Sequence, residues 1–122
     1  VNISSLAARL LAPDSAAYAT SKIAINGLST VMAGELGPKN IRVNVVAPGI
    51  IDTSRLDDVP RGPIWNDMVA TFIPLGRAGT GEDVANMVTF LCSAQGAWVT
   101  GQHIYLDGGH GATPRRPVPA QK

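Results

Sequence analysis

The stretch SSLAARLLAPDSAAYATSKIAING, residues 4–27, decides how the rest of the chain is read. Tyr18 and Lys22 are four apart, so a helix stacks them on one face. Ser5 follows a short apolar run, Val1-Asn2-Ile3, that reads as the end of a buried strand. An ammonium beside a phenol favours the phenolate and draws a tyrosine pKa down from about 10 toward working pH. Such a phenol donates a proton to a developing alkoxide, or takes one from an alcohol. A serine hydroxyl at a strand end can hold the same oxygen. This is apparatus for interconverting a carbonyl and an alcohol, and the missing hydride source implies a nicotinamide. A lone Tyr-x-x-x-Lys pair more often marks a helix-surface contact, so the surrounding sequence has to decide.

Working outward, Pro13 rules out a helix through residues 4–14, which read as a loop. Residues 15–36 turn helical, with Ile25, Leu28, Met32 and Leu36 spaced as one apolar face. Gly37-Pro38 stops that helix. Small residues at Ala16, Ala17, Ala24 and Gly27 allow close approach of a neighbour, either the sheet or another subunit. Residues 41–47, IRVNVVA, read as a strand buried on both faces, with Asn44 bonded to nearby backbone. Residues 49–63 form a long irregular connection, and such connections are usually functional or mobile. A short helix is expected over residues 64–72.

Thr80 with Asp83 resembles a capping box, and Val84, Met87, Val88 and Leu91 form the stripe of a second main helix. Cys92 on that helix is expected to be buried and inert. Residues 101–106 read as a last strand, closed by the turn Asp107-Gly108-Gly109. Alternating strands and helices imply an α/β fold with a parallel sheet. Residues 112–122 are Pro-rich and basic, and are expected to be a disordered tail.

Composition narrows the partners. Hydrophobic residues make up 45% of the 122, enough for a real core. A net charge of +1 gives no electrostatic case for nucleic acid or an anionic membrane. No apolar run reaches the roughly 18 residues of a membrane span. The single cysteine excludes an internal disulfide framework and fits a reducing, cytoplasmic setting. His103 and His110 have no partners at metal-ligand spacing, so no metal site is expected. The chain lacks an initiator methionine and opens inside an apolar run, which suggests a segment of a longer parent.

Four stretches, in order, resemble the C-terminal half of the short-chain dehydrogenase/reductase family. They are Asn2-Ile-Ser-Ser5, Tyr18-Ala-Thr-Ser-Lys22, Asn44-Val-Val-Ala-Pro-Gly-Ile-Ile-Asp-Thr53, and Thr100-Gly-Gln-His-Ile-Tyr-Leu-Asp-Gly-Gly109. The resemblance covers residues 1–111. It implies half of a Rossmann-like doubly wound parallel sheet, with three strands, two main helices and one short lid helix.

It also implies roles. Ser5 would hold the substrate oxygen, with Ser4 set aside as its neighbour. Tyr18 would be the acid/base. Lys22 would tune the tyrosine and bond the nicotinamide ribose. Pro48, Gly49, Ile51 and Thr53 would pass along the nicotinamide, with glycine permitting close backbone approach. The cofactor would be NAD or NADP, the substrate a small carbonyl or alcohol, and the parent a homodimer or homotetramer. Residues 54–72 would cover the substrate, with Trp65, Met68 and Phe72 either lining its pocket or packing on their own core.

The family's glycine-rich pyrophosphate turn, Thr-Gly-x-x-x-Gly-x-Gly, does not occur in these 122 residues, and neither does its Asn-Ala-Gly segment. The 122 residues alone are therefore expected to be inactive. The rival expectations are a non-catalytic remnant or interaction module, and one half of a split enzyme.

Overall fold

The computed structural model describes residues 1–53 and 60–112. Strand β1 is Asn2–Ile3, and a 3-10 turn follows at Leu6–Ala8. Helix α1 is Ala16–Leu36, strand β2 is Val45–Pro48, helix α2 is Pro63–Phe72, helix α3 is Gly81–Cys92 and strand β3 is His103–Leu106. The sheet has the order β1-β2-β3 and is parallel throughout. Val45 faces Asn2 on one side and His103 on the other, so β2 is the central strand. Val45, Val46 and Ala47 are completely buried there, which is why this stretch is β-branched and apolar without alternation.

Strand β1 has a ladder on one side only among the described residues. Val1 and Ile3 are consequently exposed, at 42% and 44%, and not buried as the apolar run suggested. The expected strand over 41–47 begins later, at Val45. Before it, side chains take over from the ladder. The Arg42 guanidinium donates to the carbonyls of Leu91 and Val99, and Val43 N–H bonds the Thr100 hydroxyl. Asn44 is 2% exposed, donates to the Val99 carbonyl at 2.7 Å and accepts from Gln102 N–H at 3.1 Å. Strand β3 likewise starts at His103, because Gly101 takes a left-handed turn with φ 71°.

Helix α1 departs most from its expected face. Leu28 is 58% exposed, and Ile25, Met32 and Leu36 are half-buried. The buried side is Ala19, Asn26, Ser29 and Ala33, which is small and partly polar. Hydrogen bonding explains the choice. Asn2 Nδ2 on β1 donates to Ser29 Oγ at 2.9 Å, and Ser29 Oγ donates to the Ile25 carbonyl at 2.7 Å. Ala16, Ala17, Ala24 and Gly27 all lie on exposed positions, away from the sheet. The helix ends at a 3-10 turn, Gly37–Lys39, with Asn40 left-handed at φ 59°.

Helix α3 begins as its sequence predicts. The Thr80 hydroxyl accepts from Asp83 N–H, and the Asp83 carboxylate accepts from Thr80 N–H, which closes a capping box. Leu91 is buried, and Val84, Met87 and Val88 are half-buried behind it. Cys92 is exposed, which corrects its expected burial: it stands just outside the stripe that ends at Leu91. The short helix is present as α2, entered through Pro63 at its first turn. Residues 54–59 and 113–122 lie outside the described residues, and with them most of the expected substrate-covering loop and nearly all of the expected tail.

Candidate active site

Because the strands are parallel, all three point their carboxyl ends at one edge of the sheet, where ligands of open α/β sheets bind. Ser5 leaves β1 at that edge. Its backbone is extended, and its Oγ accepts from Ala7 N–H at 3.1 Å as the cap of the 3-10 turn. The hydroxyl keeps its own proton for donation elsewhere. That turn packs on α1, which carries Tyr18 in its first turn and Lys22 one turn on.

Tyr18 is 41% exposed, and the Lys22 ammonium lies 5.6 Å from the centroid of its ring. Lys22 is half-buried, and its Nζ donates to the Ile3 carbonyl at 3.2 Å. Ser5, Tyr18 and Lys22 are thus gathered by the β1 exit and the first two turns of α1. Their neighbour Ser4 is 3% exposed, and its hydroxyl donates to the Lys22 carbonyl at 3.1 Å.

The exit of β2 carries Pro48, Gly49, Ile51 and Thr53. Gly49 N–H bonds the Leu106 carbonyl. A Cβ on Gly49 would stand 2.8 Å from Asp107 Cβ and 2.9 Å from its Cα. The close approach that requires glycine here is therefore between the β2 and β3 exits. Ile51 forms a parallel bridge with Gly79: Gly79 N–H bonds the Ile50 carbonyl, and Asp52 N–H bonds the Gly79 carbonyl. In that pattern the N–H and C=O of Ile51 itself point away from Gly79. A small cleft of about 80 Å³ opens between these exits, lined by Ile50, Ile51, Leu75, Arg77, Asp83 and Asp107. Asp52 is ion-paired with Arg61, and the Arg61 guanidinium lies over the Trp65 ring of α2 at 4.4 Å. Thr53 is exposed at the border of the described residues.

Arg77 and Thr80 hold the Asp83 carboxyl far below the usual carboxylate range, chiefly through the Arg77 side-chain bond. Arg77 is raised in return. Both groups face solvent, so this pair shapes the cleft wall more than it stabilises the fold.

The sequence reads Asp107-Gly108-Gly109 as the turn that closes the last strand, and the structure adds what that turn holds. Its carboxylate accepts from Gly109 and Gly111 N–H, and the turn then clamps the end of α2. Leu75 N–H bonds the Gly108 carbonyl, and a Cβ on Gly109 would meet Pro74 at 2.9 Å. Phe72 rests its ring 5.7 Å from His110. The Asp-Gly-Gly string was the available signal, but its partner is far off in sequence. His103 bonds the Thr30 hydroxyl, and among the described residues no group of three His, Cys, Asp or Glu could hold a metal. Nor is any described helix long and apolar enough to cross a membrane.

A family model described as enoyl-(acyl carrier protein) reductase matches residues 1–111. The chain is 44% identical over 108 residues to a 3alpha-hydroxysteroid dehydrogenase of Mediterraneibacter gnavus, covering 88% of this chain and 42% of that protein. It is 41% identical over 109 residues to a 3-oxoacyl-[acyl-carrier-protein] reductase of Thermotoga maritima, covering 89% and 44%. Among solved structures, a short-chain type dehydrogenase/reductase from Mycobacterium ulcerans superposes with a TM-score of 0.83 at 39% identity, over 89% of this chain and 40% of that one. A mutant 4-hydroxyisoleucine dehydrogenase complexed with NADH and succinate gives 0.87 at 33% identity, over 93% and 47%. The chain spans less than half the length of these relatives. Motif order, parallel sheet and superposition agree on a Rossmann fold, and the chain belongs to the short-chain dehydrogenase/reductase family.

Proposed function

We propose that residues 1–111 are the catalytic half of an NAD- or NADP-dependent oxidoreductase, acting within a longer cytoplasmic protein on a small carbonyl or alcohol. One observation carries the reading. Ser5 follows the β1 exit and caps a turn that packs on α1, whose first two turns carry Tyr18 and Lys22, with the Lys22 ammonium 5.6 Å from the Tyr18 ring. Relatives of differing substrate, a hydroxysteroid dehydrogenase and an oxoacyl reductase, share that general class of reaction.

In the reducing direction the Tyr18 hydroxyl gives its proton to the developing alkoxide, and in the oxidising direction its oxygen takes one from the alcohol. Ser5 donates a hydrogen bond to the same substrate oxygen, since its Oγ already accepts from Ala7 N–H. The Lys22 charge favours the negative charge that forms on the tyrosine oxygen. A bound nicotinamide supplies or accepts the hydride.

The residues present fit that group. The N–H and C=O of Ile51 point away from the Gly79 bridge and offer the donor–acceptor pair that a carboxamide needs. Pro48 and Gly49 line the approach, Thr53 supplies a hydroxyl and Lys22 a charged donor for a ribose. No glycine-rich pyrophosphate turn occurs in residues 1–122, so in this reading the longer protein supplies it, and residues 1–122 alone turn nothing over.

A second reading, an interaction module, is favoured by the outer face of α1, where Ile23, Leu28 and Val31 are 45%, 58% and 57% exposed. In the oxidoreductase reading the same face pairs subunits of a homodimer or homotetramer. Titration of the intact protein with NADH and NADPH separates the two. Saturable binding with hydride transfer to a ketone supports the enzyme, and absence of binding supports the module.

A further inference from the structure

We propose that Ser4 is a positioning residue for Lys22, acting with Asn2 and Ser29 as a polar seam that sets the register of α1 on β1. The proposal rests on the acid/base reading of Tyr18 and Lys22 and adds the residues that hold them.

Ser4 is fixed on two sides. Its N–H bonds the Val46 carbonyl at 2.8 Å, which ties it to β2. Its buried hydroxyl donates to the Lys22 carbonyl at 3.1 Å, which ties it to α1. The Lys22 carbonyl lies inside the helix and does not need this second donor, whereas the Ser4 hydroxyl would be orphaned without it. Lys22 returns a bond in the opposite direction, from Nζ to the Ile3 carbonyl at 3.2 Å. Backbone and side chain of Lys22 are thus both held by consecutive residues of one strand end.

A second tie lies two helical turns on. Asn2 Nδ2 donates to Ser29 Oγ at 2.9 Å, and Ser29 is 1% exposed. Lys22 and Ser29 are separated by about 10 Å along the axis at 1.5 Å per residue. Asn2 and Ser4 point to the same face of the strand, being two apart. Two directional bonds spaced along a helix oppose both sliding and rotation, which an apolar contact of small side chains such as Ala19 and Ala33 does not. The seam explains why the buried face of α1 is polar while Leu28 and Val31 face outward. It also fixes Ser5, the next residue after Ser4, against the same helix.

The test uses the intact protein, NADH or NADPH, and the best carbonyl acceptor from a panel of ketones and 3-oxoacyl thioesters. Ser4→Ala is expected to lower kcat about tenfold with KM within about twofold, because small displacements of a catalytic group cost rate steeply. Ser4→Thr, which restores a hydroxyl, is expected to recover most of the rate. In a Lys22→Ala background, Ser4→Ala is expected to cost nothing further. A crystal structure of Ser4→Ala is expected to show Nζ out of reach of the Ile3 carbonyl. Where Ser4→Ala fails to fold, Ser29→Ala is read in the same cycle. Additive losses, or an unmoved Lys22 with unchanged kcat, would overturn the proposal. Tyr18→Phe is run beside them: if it keeps full turnover, the acid/base reading fails and the seam loses its catalytic purpose. If it loses turnover while the cycle is additive, the seam proposal fails alone.

Discussion

The Lys22 ammonium donates to the Ile3 carbonyl at 3.2 Å and stands 5.6 Å from the centroid of the Tyr18 ring. One side chain thereby couples the end of β1 to the proposed acid/base. Lys22→Ala in the intact protein is expected to lower kcat by about 10²-fold, the scale of a general acid–base contribution, and to weaken NAD(P)H binding. Lys22→Met keeps the apolar stem and separates charge from packing. Steady-state kinetics with fluorescence titration of the cofactor checks both, and a change in stability alone would make the pair structural.

Gly49 holds the β2 and β3 exits together. Its added Cβ would meet Asp107 Cβ and Cα at under 3 Å, so the Asp107 backbone would have to shift. Gly49→Ala is therefore expected to destabilise by about 1–3 kcal/mol, as overpacking does. Thermal melts of the purified variant measure it.

Gly81 offers the opposite sign. It opens α3 at the first helical position, Thr80 before it is extended at φ −119°, and nothing lies within 4 Å of an added Cβ. Gly81→Pro is expected to stabilise by about 0.5–1 kcal/mol, because proline suits that position and restricts the unfolded chain. Denaturant midpoints with an unchanged slope would bear this out.

Asn44 is the polar joint between the entries of β2 and β3. Asn44→Ala removes its bonds to Val99 and Gln102, leaving the Val99 carbonyl with the longer Arg42 bond alone and taking away the Asn44 acceptor of the Gln102 N–H. A loss of about 1–3 kcal/mol follows from the removed hydrogen bonds of a buried side chain. Hydrogen exchange is expected to quicken first at Gln102 N–H.

Arg77 and Thr80 lower the Asp83 pKa in the folded state. A depressed folded pKa gives stability that is complete above the unfolded value, about 3.9, and is lost as pH falls below it. The Tm advantage of the wild type over Asp83→Asn is therefore expected to narrow from pH 5 to pH 3, and to shrink in high salt because the pair is exposed. A pH-independent difference would contradict the ionic origin.

Much of the architecture was legible because its signals are local. Thr80 and Asp83 announced their capping box, Gly37-Pro38 the end of α1, and the run around Val45 and Val46 a doubly covered strand. The face of α1 was not legible, because apolar spacing pointed to Leu28 while hydrogen bonds from Asn2 and Ser4 selected Ser29 and Lys22. Those partners are 27 and 18 residues apart, beyond any periodicity. Exposure of Val1, Ile3 and Cys92 was missed for a related reason: apolar character predicts burial only where a neighbour exists to cover it. The motifs that carry the proposed site were legible in their order and spacing. What the motifs did not convey is that Gly49 is crowded by Asp107, or that the Asp107 turn grips the end of α2.

The most direct test of the chemistry is single-turnover hydride transfer in the intact protein, comparing wild type with Tyr18→Phe at saturating NADH or NADPH. The expected result is a rate at least about 10²-fold lower, with cofactor affinity unchanged, since the substitution removes only the proton donor. A Tyr18→Phe variant that transfers hydride at the wild-type rate would contradict acid–base chemistry at this tyrosine.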